Sequence, residues 1–292
     1  MNATSAGLVN RRAFLTSTAG LGLLASLGLG SRASALEPHP GRLKQAVCQG
    51  VFRGLKLDLD GICRATAAAG AVGIDLVGPE AFPTLKKHGL MPTMVGGGSG
   101  IKEGINDRRH HRAIDGRMRA AIRATAEFGA PNVIVLAGDR QGISDEEGLE
   151  NCVLFLNGIK AQAEDLGVTL CLELLNSKVN HPGYMCDHTA WGVELCRRVG
   201  SPRVKLLYDI YHMQIMEGDI IRTIRDNIEW IGHFHTAGNP GRHEFDASQE
   251  LNYPAICKAI ADTGFQGYLA HEYTPTHDPL ETLKAMMKLC RV

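Results

Sequence analysis

Eight short runs rich in Val, Ile and Leu recur along this chain, and longer stretches with helical spacing separate them. That alternation restricts the fold more than any other feature. The runs are 45–52, 73–77, 91–95, 132–137, 169–175, 204–209, 230–236 and 267–273. The spacing predicts clear helices over 57–70, 113–128, 145–166 and 189–199, and shorter ones over 80–88, 219–227, 253–263 and 279–289. Gly70, Gly89, Gly129, Gly167, Gly200 and Gly264 stand where these helices stop, because glycine turns a chain out of a helix without steric cost. Strands that alternate with helices pair in parallel. Eight such units in roughly 250 residues predict a single (β/α)8 barrel. An open doubly wound sheet fits less well, since no glycine-rich nucleotide fingerprint follows the first run. Gly96-Gly97-Gly98-Ser99-Gly100 lacks the Lys and the helix start of a phosphate loop, and reads as a flexible loop.

A segment of another kind precedes the first run. Asn10-Arg11-Arg12-Ala13-Phe14-Leu15 is basic, a Gly/Ala/Leu stretch continues to Gly30, and Ser31-Arg32-Ala33-Ser34-Ala35 ends in the small residues of a cleavage site. This is the layout of an export signal, and paired arginines before Ala-Phe-Leu resemble the twin-arginine type. Residues 1–35 are therefore expected to be a twin-arginine-type signal peptide and 36–292 the barrel. The mature protein is expected in the periplasm or otherwise exported. No later stretch offers the ~20 apolar residues of a membrane span. Without the leader's three arginines, 28 basic residues face 31 acidic ones, a net charge of −3. That excludes the basic excess a nucleic-acid partner demands. The eight cysteines form no Cys-x-x-Cys pair, and several lie in apolar runs, where they read as buried thiols. The composition leaves assembly as a homo-oligomer open.

In a β/α barrel, chemistry sits where strands end, at the C-terminal face. The fifth run carries Glu173, the sixth closes on Asp209, the seventh on His235 and the eighth on Glu272. Taken singly, each has an ordinary explanation as a solvated loop residue or a hydrogen-bonded structural side chain. At the same phase of four successive strands they point at one another. Burying carboxylates this way is costly unless a cation joins them. Three carboxylates and one imidazole form a hard, mostly oxygen site for one divalent metal ion, with Mn or Mg favoured over Co or Zn. His233 lies two residues before His235, so it faces the same interior one layer deeper, as a supporting group. His271 points opposite to Glu272 and reads as structural.

These residues carry a resemblance. Leu172–Asn176 with Glu173, Asp209-Ile210-Tyr211-His212, Ile231-Gly232-His233-Phe234-His235, Asn239-Pro240-Gly241-Arg242-His243-Glu244, Glu250-Leu251-Asn252-Tyr253 and His271-Glu272-Tyr273 resemble the hydroxypyruvate isomerase family. That family lies within the xylose-isomerase-like sugar isomerase/epimerase superfamily, and the resemblance covers essentially all of 36–292. It implies that Glu173, Asp209, His235 and Glu272 bind one divalent metal. It also implies that Glu173 and Glu272 move the proton, and that His212 and Arg242 contact substrate oxygens. The chain departs from bacterial cytosolic members at His235, where they tend to carry Gln and ketose epimerases carry His. It departs again at Phe245-Asp246-Ala247-Ser248-Gln249, where they usually carry a Pro-Gly-Thr-Gly-like loop.

The chemistry also follows without the family. Interconverting an α-hydroxyketone and an α-hydroxyaldehyde moves a proton between adjacent carbons, and a Lewis acid stabilises the enediolate between them. Two carboxylates on opposite sides can remove and return the proton. Arg242 can pair with a substrate carboxylate, or with Glu244 or Asp246 in its own loop. The expected activity is isomerisation of a small hydroxy-keto acid or sugar. Alternatives are a sugar epimerase, a lyase or dehydratase on the same barrel, and an exported carbohydrate-binding protein without turnover. The leader generates a first prediction: replacing Arg11 and Arg12 with Lys traps the precursor in the cytoplasm, which fractionation and immunoblotting will show. Unchanged export of the double variant contradicts the twin-arginine assignment.

Overall fold

Hydrogen bonding in a computed structural model, which describes residues 41–292, joins eight parallel strands into a closed barrel in chain order. The strands are β1 (Lys44–Cys48), β2 (Gly73–Val77), β3 (Met91–Val95), β4 (Asn132–Val135), β5 (Thr169–Glu173), β6 (Val204–Asp209), β7 (Ile231–Thr236) and β8 (Tyr268–His271). β8 returns to pair with β1, in the register Val47 to His271. The helices are α1 (Leu59–Ala69), α2 (Phe82–Lys87), α3 (Arg108–Phe128), α4 (Asp145–Leu166), α5 (Thr189–Val199), α6 (Ile210–Met216), α7 (Ile220–Asn227), α8 (Tyr253–Asp262) and α9 (Pro279–Leu289). The signal segment assigned to 1–35 lies outside the described residues. Among the described residues no helix is long and apolar enough to cross a membrane.

Local chemistry sets the helix ends. The side chains of Asp58, Asp107, Ser144 and Asp278 accept backbone N–H groups that open α1, α3, α4 and α9. The six glycines expected at helix stops all take positive φ, from 65° at Gly200 to 87° at Gly70. Two segments differ from the sequence reading. The run 45–52 extends as a strand only to Cys48, and Gln49–Phe52 turns into a 3-10 helix. The chain after Asp209 forms α6 at once, because the Asp209 carboxylate caps its own following turn.

Strand alternation divides the core in two. Leu170, Leu172, Leu206, Tyr208 and Phe234 pack outward against the helices in the main core. Inside the barrel, Met94, Ile134, Cys171 and Leu207 form one small cluster, and Ala46, Cys48 and Ala270 another. The second cluster is built of small residues, which leaves space on that side for longer polar groups from β2 and β7. All eight cysteines are buried and unpaired.

The glycine-rich segment after β3 is packed rather than loose. Ser99 Oγ accepts the Leu136 N–H at 2.8 Å. A Cβ on Gly97 would run into the Ile134 carbonyl oxygen and the Met118 thioether. This close approach pins the segment against β4. We expect Gly97→Ala to cost about 1–3 kcal/mol through overpacking. Gly116→Ala is the control: it sits in α3, a Cβ there meets nothing within 4 Å, and alanine favours the helix. Thermal unfolding followed by circular dichroism should show a lowered midpoint for the first variant and an unchanged or raised one for the second.

Candidate metal centre and active site

Glu173, Asp209, His235 and Glu272 converge at the C-terminal end of the barrel. One ligating atom of each lies within 4.8 Å of the others. Glu173, Asp209 and His235 are buried, while the Glu272 side chain is 24% exposed and faces the opening. Each is aimed by its own surroundings. Asp209 Oδ1 accepts the His212 N–H at 3.1 Å as the cap of α6, which turns Oδ2 toward the site. The Glu272 N–H donates to the Thr236 carbonyl at 2.9 Å, extending the pairing of β7 with β8 by one residue. Glu272 Oε2 then lies 2.9 Å from His235 Nδ1, and Glu173 Oε1 lies 3.2 Å from the same nitrogen.

Asp75 decides the state of His235. This buried β2 carboxylate reaches across the small residues of β1 and β8, and its Oδ2 lies 3.0 Å from His235 Nε2 and 2.6 Å from His233 Nε2. The Thr93 hydroxyl donates to its other oxygen. Burial opposes the charge on Asp75, but the two imidazoles outweigh it and hold the carboxyl well below the usual range. A carboxylate only accepts hydrogen bonds, so His235 donates from Nε2 and its neutral form carries the lone pair on Nδ1. Among the described residues that Nδ1 has no hydrogen-bond partner, although two carboxylate oxygens face it. A lone pair and carboxylate oxygens at such distances repel unless positive charge lies among them. Burial disfavours a charged His235, yet Cys48, Glu272 and Asp75 outweigh burial and push its pKa well up. The same convergence of three carboxylates and one imidazole nitrogen fits a hard divalent ion, with Asp75 as the outer carboxylate that orients the histidine.

The two glutamates differ in environment. Burial pushes the Glu173 pKa up, as it does for Asp209. For Glu272 burial acts in the same sense, but His235 and Arg242 outweigh it and lower its pKa to about 2.

His212 and Arg242 face the same space. His212 Nδ1 accepts the Asn176 backbone N–H at 3.1 Å, so its neutral ring carries the proton on Nε2. That Nε2 is buried, lacks a hydrogen-bond partner among the described residues and lies 3.7 Å from Asp209 Oδ2. Burial, reinforced by Arg242, pushes the His212 pKa well down, which keeps the ring a neutral donor. Arg242 Nη2 lies 2.7 Å from Glu272 Oε2 and 3.6 Å from Asp209 Oδ2. The loop partners considered for it are engaged elsewhere: Glu244 accepts from Thr276 and His277, and Asp246 from Ser248. His271 points away from the site. It bonds Thr236 Oγ1 at 2.9 Å and Gln45 Oε1 at 3.0 Å, and burial lowers its pKa to about 3.

Known proteins share this architecture. Residues 83–291 match the model of the xylose isomerase-like TIM barrel family. The chain belongs to that family. Among curated relatives, the putative hydroxypyruvate isomerase of Homo sapiens is 29% identical, over 77% of this chain and 88% of its own length. The 2-oxo-tetronate isomerase of Cupriavidus necator is 33% identical, over 55% of this chain and 61% of its own. The hydroxypyruvate isomerase of Escherichia coli is 37% identical, over 54% and 61%. Among solved structures, an AP endonuclease, family 2, from Brucella melitensis superposes with a TM-score of 0.77 at 23% identity, covering 84% of this chain and 98% of that one. The 3-keto-D-glucoside 4-epimerase of E. coli gives 0.71 at 21% identity, covering 85% and 99%. At these identities the two structures share the fold.

This xylose isomerase-like barrel holds one site residue that strand-end reasoning misses. Asp75 bears the usual signal, a carboxylate inside an apolar run, but it stands mid-strand on β2, away from the four strands that supply the cluster. Only closure of the barrel brings it to His235. We expect Asp75→Asn to weaken retention of a divalent ion by ~10–100-fold, the usual cost of losing an outer-shell partner. Metal content after dialysis against graded chelator will measure it, with circular dichroism confirming the fold. Retention equal to wild type would remove Asp75 from this role.

Proposed function

We propose that this protein isomerises a small hydroxy-keto acid by moving a proton between adjacent carbons, with one divalent ion held by Glu173, Asp209, His235 and Glu272. Its curated relatives place it among the isomerases. The observation that carries the mechanism is the meeting of this four-residue cluster with two buried nitrogens, His235 Nδ1 and His212 Nε2, that lack hydrogen-bond partners among the described residues. Relatives named hydroxypyruvate isomerase and 2-oxo-tetronate isomerase support the substrate class.

When bound, the ion supplies Lewis acidity for the negative charge that develops on the substrate's two adjacent oxygens. The chain's own residues do the rest. Glu173 ends β5 and Glu272 follows β8, three strands away, so a substrate held between them meets a carboxylate on each side. Each glutamate keeps one oxygen free to take or return the proton. His212 Nε2–H donates to a substrate oxygen and stays neutral throughout. Arg242 offers its remaining N–H groups to another oxygen, its charge already matched by Glu272 and Asp209.

A second reading, epimerisation of a ketose, is favoured by the same pair of glutamates, because one can take the proton from one face and the other return it to the opposite face. A lyase or dehydratase would begin with the same abstraction and then expel a substituent. Product analysis by NMR in deuterated water separates the three. The leader supports a place for the mature enzyme outside the cytoplasm.

Glu→Gln keeps the side-chain shape and one ligating oxygen but removes the base. We expect Glu173→Gln and Glu272→Gln to retain partial metal and to lose turnover by ~100-fold or more. If the two glutamates divide the work, each variant still exchanges a substrate hydrogen with deuterated water from its intact side. Wild-type turnover in both variants with metal bound would reduce these carboxylates to ligands alone.

A further inference from the structure

Two cavities adjoin Glu272 at the opening of the barrel. One, of about 390 Å³, is walled by Phe52, Leu55, Leu57 and Leu76. The other, of about 150 Å³, is bordered by Arg242. Arg53 lines both. It follows the 3-10 turn Gln49–Phe52 that ends β1, and its N–H donates to the Gly50 carbonyl at 3.1 Å. Its guanidinium lies over Gly50, where an added Cβ would stand 3.8 Å from Nη2. Among the described residues no carboxylate pairs with Arg53, whereas Arg242 is tied to Glu272 and Asp209.

Charge balance then assigns the two arginines different tasks. Glu173, Asp209 and Glu272 carry three negative charges against the one positive charge of Arg242. A divalent ion brings that set only to neutrality, and the Asp75 carboxylate behind His235 adds a further negative charge, so the centre offers no positive charge for a further anion. A substrate carboxylate therefore needs another cation, within one short carbon chain of the reacting atoms. Arg53 lines the same two cavities as Glu272, and its planar fork matches a carboxylate through two N–H groups. Leu55, Leu57 and Leu76 line the larger cavity beside it.

We infer that Arg53 anchors the carboxylate of the substrate, and that the site selects open-chain hydroxy-keto acids over neutral ketoses of the same length. The inference rests on the isomerase reading for the identity of the reacting end. The sequence alone suggested Arg242 for the carboxylate; the ion pairs of Arg242 move that role to Arg53.

The test is calorimetric titration of the metal-loaded protein with D-glycerate as an anionic probe and dihydroxyacetone as a neutral one. In Arg53→Gln the preference for glycerate over dihydroxyacetone should fall at least tenfold, and Arg53→Lys should restore part of it through charge alone. Arg53 is exposed, and a thermal melt will confirm that both variants fold. An unchanged preference in Arg53→Gln, equal weakening of both probes, or no glycerate binding to the wild type would each overturn the assignment. If glycerate binding depends on Arg53 but no hydroxy-keto acid is isomerised, the anchor stands and the isomerase reading fails.

Discussion

A buried aspartate settles which nitrogen of His235 faces the site. Asp75 sits inside the barrel with two imidazoles and a hydroxyl donating to it, and a carboxylate in that position would be unstable without them. The same hydrogen bonds work in the other direction: they fix the ring plane of His235 and turn its Nδ1 toward Glu173 and Glu272. His233, one layer deeper, shares the load. The chemistry proposed for the upper layer thus depends on an acid that touches none of the reacting atoms.

The small side chains of Ala46, Cys48 and Ala270 make this geometry reachable. In most barrels branched residues fill the interior in layers. Here one half follows that pattern, with Met94, Ile134, Cys171 and Leu207, while the other half trades bulk for a polar bridge between β2 and β7. Economy of the same kind appears at Asp209, which caps α6 with one oxygen and turns the other to the site. The cap is a local, short-range bond, so this carboxylate is positioned by the chain that immediately follows it rather than by a distant loop.

Electrostatics divides the opening into two zones. At the ends of β5, β6 and β8, carboxylates crowd together and Arg242 is spent in balancing them. Near β1, the Arg53 guanidinium, without a carboxylate partner among the described residues, stands beside apolar side chains. The proposed substrate, with a chelating end and an anionic end, would use both zones.

The amino-acid sequence by itself determined the barrel and most of the site. The period-2 and period-3.6 patterns are local properties of neighbouring residues, so among the described residues eight strands, eight of the nine helices and the six glycine stops were legible. Glu173, Asp209, His235 and Glu272 were legible for a related reason: each stands at or next to the end of its own apolar run, and one rule about strand ends finds all four. His212 and Arg242 came from the motif resemblance rather than from periodicity. Tertiary structure decided the remainder. Asp75 meets His235 only when β1 closes onto β8, a contact between residues 160 positions apart. The proton positions on His212 and His235 follow from partners on other strands and loops. The ion pairs of Arg242 with Glu272 and Asp209 also form only across the folded barrel, and which charges neutralise which depends on distances that no spacing along the chain records.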